Sequence, residues 1–329
     1  MSEAALYFTD EQTVETRPIE IDGPDEDELL IQTRFSAVSA GSELLVYRDE
    51  TPRETAVDES IESLDGDFSY PVQYGYAAVG EVIDAGRDVD DDWIGKHVFS
   101  FNPHQTQFTT RPDVVIEIPP DISTEHATLL PTVETATNLT LDSAPRLGER
   151  VVVFGAGAVG LCTTRLLAEF PLAELVVVDP IENRRALAAE FGADMVCPPE
   201  AIPDRVSGAD LVVELSGQPD VLDDAIETVG YDGRIVVGSW YGTKRAPIDL
   251  GGRFHRNRIE LVSSQVSTID PELRGRWDTE RRFDTALNWL ERMNTEVLIS
   301  HRIPFEDAEA AYELLDDRAE SALQVVFTY

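Results

Sequence analysis

The residues with the clearest capacity for chemistry are six in a row, Gly155, Ala156, Gly157, Ala158, Val159 and Gly160. They follow the β-branched run RVVVF (150–154), open a stretch of helical periodicity, and precede a second apolar run that ends in Asp179. In that setting each glycine has a task. Gly155 permits a tight turn, Gly157 lets the backbone approach a pyrophosphate, and Gly160 lets helix and strand pack closely. Ala158 and Val159 begin the helix, whose free N–H groups and positive end suit an anion. Asp179 stands where a carboxylate accepts hydrogen bonds from an adenosine ribose, and a negative charge there repels a 2′-phosphate. The pattern predicts a nicotinamide dinucleotide, NAD in preference to NADP, although Arg184 and Arg185 offer a phosphate some compensation. An ordinary strand-to-helix turn is the competing explanation. Ser216 and Gly217 are expected near the adenine-ribose side, and Gly238 and Ser239 near the nicotinamide, because ligands collect at the carboxyl ends of parallel strands. Glycines that merely end strands account for both pairs equally well.

The elements that must hold these residues are visible in the periodicity. From residue 150 onward, strand candidates at 150–154, 174–179, 194–197, 210–215, 234–239 and 259–265 alternate with helical stretches. One of these, 158–170, places Val159, Leu166, Leu167 and Phe170 on one face. Another, 182–191, stops at Gly192. Apolar strands joined by helical crossovers predict a doubly wound parallel sheet covered on both faces, the Rossmann arrangement. The first 120 residues read instead as short strands punctuated by glycine and proline, which suggests an irregular β-barrel. Residues 125–142 look helical, with Pro131 as an interruption. The last segment offers helices near 280–292 and 306–316, then the strand LQVVFTY, whose character fits it back into the barrel. The expected class is α/β with two domains: 1–130 completed by 267–329, and 131–266.

Composition narrows the setting. With 63 acidic against 26 basic residues the formal net charge is −37, and Lys96 and Lys244 are the only lysines. Such a surface disfavours nucleic acid and anionic membranes as partners. Carboxylates are spread along the chain, as in 25–28 and 88–92, whereas a specific site for a cationic partner would gather them. The distribution predicts a fold adapted to a salt-rich cytoplasm, where a Debye length of about 3 Å or less screens the repulsion. No apolar run is long enough for a membrane span, and MSEAALYFTDEQ lacks the pattern of a signal peptide. Cys162 and Cys197 lie in apolar segments and read as small buried side chains.

A barrel-like first domain, a Rossmann unit and a carboxyl-terminal return together resemble the medium-chain dehydrogenase/reductase superfamily of zinc alcohol dehydrogenase type, over nearly the whole chain. AVSAGSELLVYRD (37–49) is similar to the segment bearing that family's first catalytic zinc ligand, YPVQYGYAAVGEVIDAG (70–86) to its Gly-His-Glu segment, and EVLISHRIPFEDAEAAYELL (296–315) to its carboxyl-terminal one. The ligand positions here read Ala40, Tyr76 and a place near Pro131, so no metal is expected. The pieces SAGSE, YPVQYGY, SFNPH, GSWYG, FHRNRIELVSSQV and RWD resemble a zinc-lacking branch that includes proteins similar to hydroxyethyl-bacteriochlorophyllide dehydrogenase. The resemblance implies a GroES-like catalytic domain, a homodimer, and hydride transfer between the cofactor and a small-molecule alcohol or carbonyl. Conjugate reduction of an enone or quinone, and a non-catalytic dinucleotide sensor, are the alternatives.

Without zinc, side chains must move the proton and steady the substrate oxygen. His104, in SFNPH, is the first candidate for general acid and base, since imidazole titrates near neutrality; an exposed loop histidine is the competing reading. Ser42 matches the hydroxyl beside the family's metal, or else caps a short helix through 43–45. Glu43 and Tyr76 are further polar candidates near the vacated ligand position, where Tyr76 also serves simply to fill the hole. Trp240 and Tyr241 are candidate walls for a substrate, or plain packing.

Overall fold

The computed structural model describes residues 3–58, 61, 63–202, 206–317 and 322–329. Two compact units make up the chain, one from Met1–Pro131 with Leu290–Tyr329, the other from Thr132–Trp289.

The first unit begins with a hairpin of β1 (Ala4–Asp10) and β2 (Thr13–Pro18), then β3 (Leu29–Ala37), α1 (Ala40–Tyr47), β4 (Ala78–Ala85), β5 (His97–Ser100), β6 (Gln107–Thr110), β7 (Ile116–Glu117) and α2 (Thr124–Ala127). Alternation along β3 turns Leu29 and Ile31 inward against Val82, Val98 and Phe108. Pro131 does not interrupt a helix. The break falls before it, and α3 (Leu130–Ser143) begins with the proline in its first turn, where a missing N–H costs no hydrogen bond.

The second unit carries β8 (Arg150–Phe154), α4 (Ala158–Leu167), β9 (Glu174–Val178), α5 (Glu182–Glu190), β10 (Met195–Cys197), β11 (Ala209–Glu214), α6 (Val221–Thr228), β12 (Val229–Val237), β13 (Glu260–Ser263) and α7 (Thr279–Arg292). Its six strands are parallel in the order β10-β9-β8-β11-β12-β13. Numbered within the unit this is 3-2-1-4-5-6, the doubly wound order with its switch point between β8 and β11. Gly192 takes φ +105° after α5, a conformation that suits glycine at a helix end. The expected boundary at 267 lies instead after Trp289. The reason is a buried ion pair, in which Arg282 of α7 donates to Glu134 of α3 at 3.0 and 2.8 Å and to Asn138 at 3.0 Å.

The chain then returns to the first unit as β14 (Ile299–Pro304), α8 (Ala308–Asp317) and β15 (Gln324–Thr328). β15 pairs antiparallel with β3, Val326 opposite Ala37, and parallel with β14. This gives an irregular sheet running β14-β15-β3-β4-β5-β7, with β6 also on β3. Phe327 and Tyr312 are wholly buried among Leu6, Phe8 and Val38. Side chains of this kind contribute roughly 1.5–3 kcal/mol each on burial.

Both cysteines are buried, and burial pushes the Cys162 thiol up to about 12. Because the thiolate is the reactive form, neither should take up a thiol reagent until the chain unfolds. Timed labelling with and without denaturant checks this, and one equivalent incorporated rapidly by the native chain would refute it.

Candidate functional site

In the second unit the glycine-rich turn joins β8 to α4. Gly155 has φ +98°, and a Cβ there would sit 2.5 Å from the carbonyl oxygen of Leu215. A Cβ on Gly160 would lie 2.0 Å from the Gly155 carbonyl oxygen, so that glycine is a packing requirement. Gly157 differs, since a Cβ there meets no atom within 4 Å. It caps α4 with extended backbone and faces open space, as a glycine kept for a ligand's approach should. Ala158 and Val159 follow it, half-exposed in the first turn of the helix.

Asp179, next after β9, accepts from the N–H of Ala156 at 2.7 Å and of Ile181 at 2.8 Å. It is only 3% exposed and ties the second strand end to the glycine-rich turn. Arg185 donates back to the carbonyls of Asp179 and Pro180, each at 2.8 Å. Burial pulls the Arg184 guanidinium below its ordinary range, and the charge of Asp179 opposes that shift. Along the same carboxyl edge the N–H of Gly217 donates to the Ser239 hydroxyl at 2.9 Å, which couples the ends of β11 and β12. Gly238 is needed for packing, because a Cβ would meet Leu139 at 2.5 Å and Leu215 at 2.6 Å. The structure thus brings Gly155, Asp179, Ser216, Gly217, Gly238 and Ser239 to the carboxyl ends of neighbouring strands, with Ala158, Val159 and Gly160 in the first turn of α4 and Arg184 in the first turn of α5.

Sequence reasoning passed over Glu214, wholly buried as the last residue of β11. It accepts from the Ser216 N–H at 2.7 Å and from the Ser216 and Tyr241 hydroxyls. This anchors Tyr241, whose phenol burial and then Glu214 push far upward. Trp240 beside it is 40% exposed.

In the first unit, α1 and the segment before β4 bring three hydroxyls together. Ser42 Oγ lies 3.0 Å from Ser39 Oγ and 3.1 Å from the Tyr76 hydroxyl, and Ser39 Oγ also bonds to Tyr76. All three residues are half-buried. Ser42 does not cap the helix, as it lies inside the first turn. Ser39 occupies the capping position and spends its hydroxyl on Tyr76, while Glu43 reaches back to accept the Ser39 N–H at 2.6 Å. Burial pushes the Tyr76 phenol up, Ser39 and Ser42 oppose this, and the charges of Glu43 and Asp58 add to it. The cluster therefore holds neutral hydroxyls able to donate a proton.

Glu43 and His104 stand behind it, both wholly buried. His104 Nε2 lies 3.0 Å from Glu43 Oε2, and Nδ1 lies 2.7 Å from Ser36 Oγ. The exposed-loop reading of His104 is overturned. So is a direct acid–base role, because both ring nitrogens are engaged away from solvent. Gly75 makes room for the ring, since at φ +100° its Cβ would fall 2.4 Å from Nε2.

The zinc positions can be tested by donor chemistry. Ala40 and Pro131 carry no donor atom, and Tyr76 is a neutral phenol bonded to two serines. Zinc takes thiolate, imidazole or carboxylate ligands, so this set does not fit it. Ser39, Ser36, Tyr312 and Tyr329 escaped the sequence reading. The one available signal was the spacing in SAGSE, which puts two hydroxyls three residues apart on a helical turn.

The profile of the zinc-binding dehydrogenase family matches residues 158–290. The D-guloside 3-dehydrogenase of Escherichia coli K12 is 26% identical over 333 aligned residues, which cover 92% of this chain and 93% of that protein. The 2R,3R-butanediol dehydrogenase of Bacillus subtilis superposes over the full length of both chains with a TM-score of 0.79 at 18% identity. An alcohol dehydrogenase from E. coli CFT073, solved with NADH, does so equally well, again at 0.79 and 18%. The family profile covers part of the chain, the relative is similar along nearly its whole length, and the solved structures share its fold, so the chain is similar in sequence and fold to alcohol dehydrogenase-like members of the medium-chain dehydrogenase/reductase superfamily.

Proposed function

We propose that the chain is a zinc-independent oxidoreductase that moves a hydride between a nicotinamide dinucleotide, NAD in preference to NADP, and an alcohol/carbonyl pair. The observation that carries this reading is the cluster of Ser39, Ser42 and Tyr76, three mutually bonded hydroxyls where the family resemblance leads one to expect a metal ligand. NAD, when bound, accepts or gives the hydride. Gly157, Ala158 and Val159 would take its pyrophosphate, and Asp179 with Arg184 would face its adenosine end, with Ser216, Gly217, Gly238 and Ser239 along the strand ends. The protein's own task is the proton. As hydride reaches the carbonyl carbon, Tyr76 donates to the forming alkoxide, with Ser42 and Ser39 holding the oxygen and the phenol in line; in the oxidative direction the same hydroxyls receive the proton. Glu43 and His104 position the cluster from behind. A relative named for dehydrogenating a D-guloside supports a secondary hydroxyl of a polyhydroxylated molecule as the substrate. We expect a homodimer acting in a salt-rich cytoplasm.

Turnover of NADH with a panel of ketoses, a quinone and an enone, with and without a strong chelator, tests the reading. Activity should survive chelation, and Tyr76→Phe should lower kcat by about 10²–10⁴-fold. Activity that vanishes on chelation and returns with added zinc would refute metal independence. Tight NADH binding with no turnover of any substrate would instead favour a sensor.

A further inference from the structure

In the first unit lies a cavity of about 200 Å³ lined by Glu3, Gln32, Arg34, Thr106, Gln107 and Tyr329. The Tyr329 hydroxyl is 2.7 Å from Ser36 Oγ, and Ser36 Oγ is 2.7 Å from His104 Nδ1. His104 Nε2 is 3.0 Å from Glu43 Oε2, so three side chains link the cavity to the Glu43 carboxylate behind the hydroxyl cluster. Ser36, His104 and Glu43 are wholly buried. Glu43 already accepts from the Tyr312 hydroxyl at 2.6 Å and from the Ser39 N–H, which makes it the acceptor end. The bonds can then all point one way, Tyr329 to Ser36, Ser36 to Nδ1, and Nε2 to Glu43. An unbroken run of donors aimed at one buried carboxylate exceeds what packing requires, since apolar side chains would fill the same space without desolvation cost.

We propose that Tyr329, Ser36, His104 and Glu43 form a proton relay through which the buried carboxylate exchanges protons with water in the cavity, and that Tyr329 and Ser36 are thereby positioning residues for the proton chemistry at Ser39, Ser42 and Tyr76. The last clause rests on the function proposed above; the relay itself does not. In one passage the Tyr329 phenol gives its proton to Ser36, and Ser36 gives its own to Nδ1. The Nε2 proton goes to Glu43, and water restores the proton of Tyr329. One proton moves inward and no electrons are exchanged. The groups facing Glu43 are His104 from the loop before β6, Tyr312 from α8, and Tyr74 and Tyr76 from the segment before β4. Asp58 acts on Tyr76, and Glu306 on Tyr329, as more distant charges. Such a relay lets the carboxylate beneath Tyr76 exchange its proton with water without opening the core.

The test uses the ¹⁵N-labelled full chain in concentrated KCl and reads the exchange of the His104 ring N–H with water by NMR. In the wild type this proton should exchange much faster than the amide of Phe327 beside it. Tyr329→Phe and, separately, Ser36→Ala should slow the exchange about tenfold or more while the Phe327 amide is unchanged, because only the relay and not local opening is removed. Equal or faster exchange in both variants, or a wild-type rate matching the Phe327 amide, would overturn the relay. Should Tyr329→Phe fold poorly, Ser36→Ala carries the decision. Where turnover is measurable, Tyr329→Phe should shift the pH profile of kcat with KM unchanged, and an unmoved profile would remove the link to catalysis. A wild type without turnover would defeat the proposed function while leaving the exchange result to decide the relay.

Discussion

Gly157→Ala should leave the melting temperature unchanged and weaken dinucleotide binding about 10–100-fold, whereas Gly160→Ala should destabilise the second unit itself. The two glycines are three residues apart in one motif, yet their surroundings differ. A methyl on Gly157 meets no protein atom within 4 Å and needs no unusual backbone angle. It intrudes only on what comes to the turn from outside, and crowding a close contact costs about 1–3 kcal/mol, which gives that loss of affinity. A methyl on Gly160 lies 2.0 Å from the Gly155 carbonyl oxygen, a backbone atom that cannot swing aside. A cost of about 3 kcal/mol lowers the melting temperature by about 6–12 °C in a unit of this size. Calorimetric titration with NADH and thermal melts of both variants separate the effects. Undiminished NADH affinity in Gly157→Ala would mean that the pyrophosphate does not pass this turn.

The second large effect is expected from salt. With 63 acidic and 26 basic residues, the folded surface carries repulsion that 0.1 M salt, with a Debye length of about 10 Å, screens only in part. Exposed ion pairs such as Arg17–Glu15 and Arg258–Asp232 return about 0–1 kcal/mol each, too little to offset the excess. Dialysis from 3 M to 0.1 M KCl should therefore lower the melting temperature by about 10 °C or more and abolish activity. Identical melting curves at the two concentrations would show that the acidic surface serves something other than salt tolerance.

The parts legible in the sequence are those decided within a few residues. The turn at Gly155, Gly157 and Gly160 combines short spacing with a strand before and a helix after, and the structure gives Gly155 and Gly160 steric reasons while Gly157 faces open space. Pro131 was misjudged because a proline ends or starts a helix according to which turn it occupies, and the pattern alone does not say which. The hydroxyl cluster of the first unit was harder for the same kind of reason. Ser39 earns its place through Tyr76, 37 positions away, and Glu43 through Tyr312, 269 positions away. A histidine is a proton-transfer candidate wherever it falls in a sequence, and only the burial of His104 between Ser36 and Glu43 shows it as a group held behind the cluster. Glu214 was hidden by composition, since one carboxylate among 63 acidic residues draws no notice until its exposure is known.

The pairing of β15 with β3 has a consequence for biogenesis. The Rossmann unit is contiguous and can close as soon as it leaves the ribosome. The amino-terminal sheet must wait for residues 324–328, with the end of β3 at Phe35–Ala37 unpaired on the side away from β4 for on the order of fifteen seconds to a minute at ordinary elongation rates. A nascent chain stalled before residue 320 would carry a finished nucleotide fold tethered to an unfinished partner, exposed to chaperones and proteases.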